Sequence, residues 1–402
     1  MDTIKDLSLR LHSLCVFRNL LNDSVISSLL SCLDSLESEN TAEKVDKYTN
    51  FVYSLYSAET DNLTRYIQKI VNESENLYVR TLCVKGKECG KISDSLKKDL
   101  ETLEKVSKLS PDDFKKHIDC PSALADWVTD DVDLAEDYYK RIENIEKYGY
   151  GIYAKHRMFY IGDDNSVVPV RNPDSVSLDD LIDYEREKEV IINNTKALLD
   201  GKPAANILLT GDAGTGKSST VKAVVNELYK DGLRIIEVRK EQLTAIPEIL
   251  DELSFNPLKF ILFIDDLSFG KNDDNFSALK AILEGSVSSK SQNIVIYATS
   301  NRRHLVKETF RERDGDDIHF NDTTQEIMSL SERFGIHLSF QRPDKNTYLE
   351  IVTNLAEKNG LEYDKQKLEL EAEKFVLGRS SRSARAAKQF IDEVISGNKT
   401  IK

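Results

Sequence analysis

The sequence predicts an α/β fold: a five-stranded parallel sheet with helices on both faces, preceded by a mainly helical domain and followed by a helical lid. Two observations carry this prediction. From about residue 174, helical patterns alternate with short apolar runs, which is typical of a parallel sheet. Before and after this region, apolar residues recur mainly at helical spacing. A chain of 402 residues is long enough for each part to bury its own core.

The first part, residues 1–145, is predicted to be a helical domain. Ser110-Pro111-Asp112-Asp113 has the composition of a helix start, with a capping Ser, a Pro in the first turn and acids beside the helix dipole. We expect His12 and His117 to be structural, because no metal-ligating partners accompany them. The clearest helical signal is one apolar stripe, formed by Leu20, Leu21, Val25, Ile26, Leu29, Leu30, Leu33 and Leu36.

Residues 146–173 are rich in turn-forming residues. Gly149, Gly151, Pro169 and Pro173 fit either a linker or a strand pair that joins the helical part to the next domain. The predicted division of the chain is therefore a helical domain at 1–145, a linker at 146–173, an α/β domain at 174–343 and a helical lid at 344–402.

Composition limits the class of protein. The net charge of −14 is unlike that of a basic domain that grips a phosphate backbone, although Arg302-Arg303-His304 leaves direct contact with nucleic acid open. Neither a membrane-spanning run nor a signal peptide is evident, so we expect a cytoplasmic protein without a membrane partner. The five cysteines all lie before residue 121. Because their number is odd and no pair has CxxC spacing, we expect free thiols.

The α/β part contains a series of short apolar runs and ends in three helical patterns. The strands are predicted at 206–210, 234–238, 259–264, 293–299 and 336–340. The closing helices are predicted at 345–359, 365–377 and 381–396.

A glycine-rich octet lies between the first of these strands and a helical pattern. It matches the P-loop pattern of Gly, four residues and Gly-Lys-Ser, in the strand–loop–helix setting that the motif requires. Such a loop wraps a phosphate chain with backbone N–H groups at a helix N-terminus, while the Lys reaches the β- and γ-phosphates and the Ser hydroxyl binds Mg²⁺. The predicted nucleotide-binding residues are Gly211, Asp212, Ala213, Gly214, Thr215, Gly216, Lys217, Ser218 and Ser219.

A second motif follows about fifty residues later, where the apolar strand 260–264 ends in Asp265 and Asp266. This is a Walker B pattern, in which a buried strand delivers the first carboxylate to a magnesium ion and the second polarises the attacking water. We therefore predict Ser218 and Asp265 as the Mg²⁺-binding residues, Asp266 as a catalytic residue, and ATP with Mg²⁺ as the cofactors.

The order of these motifs resembles that of the AAA+ ATPases. The run 177–185 is similar to the segment that packs near adenine in that superfamily, and Thr299-Ser300-Asn301 is similar to sensor 1. The resemblance implies Asn301 as the sensor between Walker A and Walker B. It also implies Arg333, in Leu330-Ser331-Glu332-Arg333-Phe334-Gly335, as an arginine finger. For sensor 2 in the last helical unit it implies Arg385, with Arg382 as the second choice.

A narrower resemblance covers roughly residues 145–398. Three segments are similar in sequence to a bacterial family of single-module AAA+ ATP-binding proteins, which is catalogued as a domain of unknown function. They are Asp265-Asp266-Leu267-Ser268-Phe269, 278–285 and 297–305. One departure from the commonest AAA+ pattern is Asp266, where Glu is usual. Asp is shorter by one methylene, so slow turnover, as in nucleotide switches, remains open.

Three functions remain open at this point. The first is an ATPase that drives conformational change on a protein partner, with a homo-oligomer formed through Arg333 and a protein client bound by the N-terminal domain. The second is a slow nucleotide switch that acts as a loader or adaptor for a DNA-processing machine. The third makes residues 1–145 the effector and the ATPase regulatory. The acidic run 311–319 is expected to form a surface loop, with a partner-binding role as the alternative.

Overall fold

The computed structural model describes residues 4–87, 90–267, 274–284, 292–301, 332–378, 382–397 and 401. The chain divides into two compact units, Met1–Lys155 and His156–Lys402. The described residues contain no helix that is long and apolar enough to cross a membrane.

The first unit is helical, as predicted. Side-chain N-caps start several of its helices, because Asp23, Asn40, Asn62 and Asp133 accept hydrogen bonds from backbone N–H groups of the first turn. Its helices are α1 (Ile4–His12), α2 (Ser24–Ser35), α3 (Thr41–Ser57), α4 (Leu63–Glu73), α5 (Leu77–Lys85), α6 (Gly90–Ser107), α7 (Pro111–Lys115), α8 (Leu134–Glu143), α9 (Ile145–Tyr148) and α10 (Ile152–Lys155).

The apolar stripe from Leu20 to Leu36 is not one helix. A 3₁₀ turn, Arg18–Asn22, comes first, and α2 begins only after Asp23. The Asp23 carboxylate accepts hydrogen bonds from the N–H groups of Val25 and Ile26, so it stops the turn and caps the new helix. Both pieces bury apolar side chains in one core, which explains why their spacing resembles a single stripe.

Aromatic packing and one buried carboxylate organise the helical unit. Trp127 packs against the rings of Tyr48, Phe51 and Phe114 at centroid distances of 4.9–5.5 Å. Elsewhere in the core, buried Asp99 accepts three backbone N–H groups in the segment after α1. Hydrogen bonds of this kind compensate the cost of burying a carboxylate.

The four cysteines among the described residues form no disulfide. They are Cys15, Cys32, Cys83 and Cys120.

Residues 146–173, predicted as a linker or strand pair, are divided between the two units. The short helices α9 and α10 end the helical unit. The next residues form an antiparallel hairpin of β1 (Met158–Ile161) and β2 (Val167–Pro169). β1 also pairs in parallel with a strand of the second unit, because its buried side chains Met158, Phe159 and Ile161 extend that unit's core.

The second unit contains a sheet with helices. Its remaining strands are β3 (Ile207–Gly211), β4 (Leu233–Val238), β5 (Lys259–Ile264), β6 (Ile294–Ser300) and β7 (Ile336–Phe340). Its helices before the lid are α11 (Glu185–Leu199), α12 (Lys217–Leu228), α13 (Ile246–Leu253) and α14 (Asp274–Glu284).

The described strands form a sheet in the order β2-β1-β4-β5-β6-β3-β7. The five strands from β4 to β7 in that order are parallel to one another, which confirms the predicted five-stranded parallel sheet. Phe260 to Ile264 are all buried, so both faces of β5 are covered. The hairpin adds two strands at the β4 edge. The sequence pattern did not separate them from a linker, because β2 has only three residues and ends in Pro.

Three helices close the chain as a lid: α15 (Lys345–Lys358), α16 (Lys365–Leu377) and α17 (Ala384–Ile395). Asp344, Asp364 and Ser383 cap them by accepting backbone N–H groups of their first turns. Their buried faces form a separate apolar core. These helices lie where the sequence predicted them, with α17 starting three residues later because Ser383 is its N-cap.

One segment before the P-loop joins the lid to the α/β core. Leu178 and Tyr184 pack on the α/β core, whereas Ile182 packs on the lid core. Within this segment, Asp180 forms an ion pair with Lys358 of α15, which holds the pKa of that carboxyl down at about 2. We call residues 177–184 the strap, since they contact both layers.

We predict that Gly211, at the end of β3, cannot carry a side chain. A Cβ there would stand 2.0 Å from the carbonyl oxygen of Phe340 in the neighbouring strand β7. Gly211→Ala should therefore lower the free energy of unfolding by about 2–4 kcal/mol, measured by urea denaturation.

Gly201→Ala is the matched control. Gly201 also has a positive φ, +69°, but no heavy atom lies within 4 Å of the position that a Cβ would take there, so only backbone strain of about 1 kcal/mol is expected. Equal losses in the two variants would show that the β3–β7 contact does not restrict Gly211.

Candidate functional site

The P-loop connects β3 to α12 at the carboxyl edge of the sheet. Helix α12 begins at Lys217, directly after Gly216, whose φ of +98° ends the loop. The Lys217 ammonium group donates to the carbonyl oxygens of Gly211 and Asp212, each at 2.8 Å, and to Oδ1 of Asn301 at 3.0 Å. Thr215 closes the loop by donating to the Asp212 carbonyl oxygen at 2.9 Å. The loop thus encloses its own lysine at the helix N-terminus.

Lys217 is only 5% exposed, and its charge is balanced locally. Burial lowers the pKa of this lysine, because the charged form loses hydration. The carboxylates of Asp265, Asp212 and Asp266 oppose that shift and favour the charged form. An ammonium group at this place in a P-loop is positioned to bind phosphate oxygens, which are anionic acceptors.

The Walker B strand β5 brings Asp265 to the start of α12. The Ser218 hydroxyl donates to Oδ1 of Asp265 at 2.6 Å. Hydroxyl and carboxylate oxygens are the hard ligands that Mg²⁺ prefers, and this ion usually takes few protein ligands beside phosphates and waters. No group of three or more His, Cys, Asp or Glu side chains suited to a metal is present among the described residues. The Ser218–Asp265 pair therefore fits Mg²⁺ delivered with a nucleotide.

Asp266 has an unusual backbone, and Asn301 holds its side chain. Its φ is +54°, a left-handed conformation that costs a non-glycine residue about 1–2 kcal/mol and that Asp tolerates better than most residues. The Asn301 side-chain amide donates to Oδ1 of Asp266 at 2.7 Å while its oxygen accepts from Lys217. Asn301 therefore bridges the P-loop and Walker B by its two hydrogen bonds.

Sequence reasoning named Thr299 only as part of a motif, without a role. Its hydroxyl donates to Oδ1 of Asp265 at 2.5 Å and accepts from the backbone N–H of Asp266 at 2.9 Å. The signal that could have found it is its position, two residues before Asn301 on the strand next to β5. A buried Thr at that position faces the end of Walker B.

Arg342 also went unnamed in the sequence. It follows β7, in the short connection to the lid, and its guanidinium forms an ion pair with the Asp212 carboxylate, Nε to Oδ2 at 2.9 Å. Nothing in the local sequence predicts this contact, since 130 residues separate the two partners. The P-loop is thereby connected to the segment that leads into the lid.

The two sensor 2 candidates occupy different surroundings. Arg382 binds the Glu373 carboxylate of α16 with Nε and NH2, at 3.2 and 3.0 Å, and this bond lowers the pKa of Glu373. Arg385, in the first turn of α17, lies against the P-loop. Its backbone N–H donates to the Gly214 carbonyl oxygen at 3.4 Å, and its charge contributes to the lowered pKa of Lys217.

This close approach of α17 to the P-loop requires a glycine at position 214. Its φ is +81°, and a Cβ there would lie 3.1 Å from both Cβ of Arg385 and Oγ of Ser383. The lid therefore touches the P-loop through the first turn of α17, which contains Arg385, whereas Arg382 binds Glu373 within the lid.

Arg333 lies at the opposite edge of the sheet from the P-loop. It precedes β7, whose first residue Ile336 pairs with Ile207 and whose last residue Phe340 pairs with Gly211. Five residues of strand, at about 3.3 Å each, separate these ends. Gly335 packs on Ala205 at the same amino edge. The structure therefore does not bring Arg333 together with the other predicted site residues of its own chain.

Some sequence predictions fall outside the described residues. These are the basic cluster 302–304, the acidic run 311–319, Ser331 and the residues 379–381 beside Arg382.

A family described as "Protein of unknown function (DUF815)" matches residues 154–398. The match covers more than half of the chain, so the chain belongs to this family. The match agrees with the family extent predicted from the sequence, roughly residues 145–398, and it includes the P-loop, the Walker B strand β5 and the three lid helices. No curated protein matches the chain.

Several solved structures are similar to the chain. The Thermotoga maritima RuvB Holliday junction branch migration motor is 19% identical over 55% of this chain and 64% of that chain, with a TM-score of 0.36. The FIGL-1 AAA domain in complex with ADP is 17% identical over 56% and 74%, with a TM-score of 0.39. A chain of the E. coli MS115-1 HORMA:CdnC:Trip13 complex is 12% identical over 56% and 91%, with a TM-score of 0.36. This chain thus spans less than two thirds of the RuvB structure.

We predict different consequences for loss of the two lid arginines. Arg385→Ala should abolish the protection from proteolysis that a non-hydrolysable ATP analogue gives the segment 341–345, because Arg385 is the lid cation next to the P-loop. Arg382→Ala should keep that nucleotide effect and instead lower the thermal stability of the lid, since Glu373 loses its two hydrogen bonds from Arg382 and keeps only the longer ion pair with Lys345. Limited proteolysis with mass spectrometry, with and without the analogue, distinguishes the two. Loss of protection in Arg382→Ala alone would reverse the assignment.

Proposed function

We propose that this member of the DUF815 family binds ATP with Mg²⁺, hydrolyses it, and uses the change of nucleotide state to drive conformational change on a protein partner. The observation that carries the proposal is the side-chain bridge from Lys217 through Asn301 to Asp266. It joins the P-loop, Walker B and the sensor strand at one edge of the sheet, where parallel α/β folds place ligands.

Nucleotide binding would begin with an exchange of partners at Lys217. Its three N–H donors bind two backbone carbonyls and Asn301, and all three acceptors are neutral. Phosphate oxygens carry charge and make stronger hydrogen bonds to an ammonium group. The exchange would also release the Asn301 side chain, which couples phosphate binding to Walker B.

The nucleotide base would have room beside the strap. An open cleft of about 620 Å³ lies there, and its lining includes Ile182 and Thr347.

Hydrolysis would depend on five residues of this chain. Asp266 would orient the attacking water and accept its proton, and Asn301 would orient Asp266. Ser218 and Asp265 would hold Mg²⁺, which supplies neutralisation of the phosphate charge when bound. Arg385, on the lid, would contact phosphate and so favour the closed lid by differential contact.

A slow nucleotide switch, of the loader or adaptor kind, is the second candidate. The observation in its favour is the restrained Asp266: its side chain is short, its φ is +54°, and its carboxylate binds Asn301. A short carboxylate held in this way would reach the attacking water less readily, so turnover would be slow. The two candidates differ in the rate of phosphate release and not in nucleotide affinity.

Assembly is part of the proposal. Arg333 is far from its own P-loop, so a catalytic role would require the nucleotide of a second subunit. Arginine fingers supplied from a neighbouring chain are known to raise rates by about 10³–10⁵. We therefore propose a homo-oligomer in which Arg333 completes the neighbouring site, while the helical unit Met1–Lys155 binds the protein client.

We predict that Lys217 and Asp266 are needed for different steps. Lys217→Ala should abolish ATP binding or weaken it severely, because a charge-assisted contact with phosphate is lost. Asp266→Asn should bind ATP as well as the unaltered protein does and lose turnover. Titration with a fluorescent ATP analogue beside a phosphate-release assay measures both.

Lys222→Ala is the matched control for the lysine, since Lys222 lies on the same helix but pairs with Glu237 away from the site. It should change neither measurement. Normal ATP binding by Lys217→Ala would contradict the P-loop assignment. A very low phosphate-release rate in the unaltered protein, together with tight ATP binding, would favour the switch.

We predict that Arg333 acts on a neighbouring subunit. A mixture of Arg333→Ala protein, which keeps its P-loop, with Lys217→Ala protein, which keeps its finger, should recover part of the hydrolysis that each lacks alone. Recovery should increase with total protein concentration, because it depends on contact between subunits.

Arg239→Ala, at an exposed position paired with Asp163, serves as the control and should need no complementation. If the unaltered protein sediments as a fully active monomer and no mixture recovers activity, Arg333 does not act in this way.

A further inference from the structure

We propose that Thr299 is a positioning residue of the hydrolysis site: its hydroxyl fixes the metal-binding carboxylate and the water-orienting carboxylate relative to each other. The inference rests on the proposed function of Asp265 and Asp266. It adds a role for a residue on the neighbouring strand that would touch neither nucleotide nor metal.

The Thr299 hydroxyl uses both of its hydrogen-bonding functions on Walker B. It donates its proton to Oδ1 of Asp265 at 2.5 Å. It accepts the backbone N–H of Asp266 at 2.9 Å. A hydroxyl has one proton to donate and lone pairs that accept, so one small group ties down both acids.

The backbone of Thr299 adds a third bond. Its carbonyl oxygen accepts the N–H of Leu267 at 2.7 Å. Asp266 is therefore enclosed between two hydrogen bonds to the same residue, one on its own N–H and one on the next. These bonds hold the chain where Asp266 takes its φ of +54°, a conformation that persists only where the surroundings determine it.

The register of the sheet brings Thr299 beside the two aspartates that follow β5. Strands β5 and β6 are parallel, with Ile264 beside Ala298, so the residues that follow each of them are neighbours at the carboxyl edge. Thr299 is 2% exposed, so water does not compete for its hydroxyl, whereas the two aspartates are exposed toward the site. A buried donor thus orients exposed carboxylates, which is the arrangement that preorganises a site.

Ser218 shares the same acceptor. Its hydroxyl also donates to Oδ1 of Asp265, at 2.6 Å. Metal binding would redirect Ser218 and Asp265 toward the ion, whereas Thr299 can keep its bond to the carboxylate throughout. The Thr299 bond is thus the one that would hold Asp265 in place as its other partners change.

The alternative is a purely structural role, in which the Thr299 hydroxyl only satisfies the hydrogen-bonding needs of buried polar groups. Thr195 offers a matched test of it. Thr195 is equally buried in the same unit, and its hydroxyl donates to the Ile191 carbonyl oxygen and contacts the Tyr297 hydroxyl, away from the site. A purely structural role predicts the same consequences for Thr299→Val and Thr195→Val.

The experiment compares Thr299→Val, Thr299→Ser and Thr195→Val in the full chain. Affinity for a fluorescent ATP analogue is measured with EDTA and across a MgCl₂ titration, and phosphate release gives kcat and KM. Val has the shape of Thr but neither function of the hydroxyl, whereas Ser keeps both.

Thr299→Val should lower kcat by about 10- to 100-fold, the range for losing one hydrogen bond to a charged group. It should also reduce the gain in ATP affinity on adding MgCl₂, while affinity in EDTA stays within about twofold. Thr299→Ser should restore both properties to within about threefold, and Thr195→Val should leave them unchanged even where it lowers Tm.

Three results would overturn the proposal. They are an unchanged kcat and MgCl₂ response in Thr299→Val, no rescue by Ser, or the same loss in Thr195→Val. If the unaltered protein releases no phosphate, the proposed hydrolysis is wrong, but the MgCl₂-dependent affinity still decides the role of Thr299.

Discussion

A buried ammonium group is stable only if each of its N–H donors finds an acceptor, and Lys217 imposes this requirement on the whole site. Burying such a charge without partners costs several kcal/mol. The loop meets the requirement by turning two carbonyl oxygens inward, and Asn301, which directly follows β6, supplies the third acceptor. Because these acceptors come from separate parts of the chain, β3 and β6 must lie side by side, as their parallel pairing ensures.

The same constraint explains why the carboxylates gather where they do. Asp265 and Asp266 follow β5 at the carboxyl edge, next to the residues that end β6. Their charges favour the protonated form of Lys217 and oppose the effect of burial on its pKa. Asp266 reaches this place only through a left-handed backbone, and the bonds from Thr299 and Asn301 compensate the strain.

The lid is joined to this centre by few, polar contacts. Arg342 binds the P-loop carboxylate Asp212 from the connection that leads into α15, and the first turn of α17 touches Gly214. On the far side, Lys358 binds Asp180 of the strap. Exposed ion pairs of this kind contribute little to stability, so they can exchange partners at low cost. An apolar core of its own keeps the lid folded while such contacts change.

The sequence by itself determined the parts: the parallel sheet, the P-loop, the Walker B strand, Asn301 and the three lid helices. Each of these is a local pattern, in which glycine spacing, apolar periodicity and the residues at a strand end contain the information. The hairpin β1–β2 remained one of two alternatives, since a three-residue strand that ends in Pro has no distinctive period.

Only the tertiary structure decided the contacts among those parts. Parallel register places Thr299 beside Asp265, the lid connection brings Arg342 to Asp212, and the direction of β7 separates Arg333 from its own P-loop. The two contacts join residues that are 34 and 130 positions apart, and local sequence cannot encode a distance that depends on how the strands are ordered.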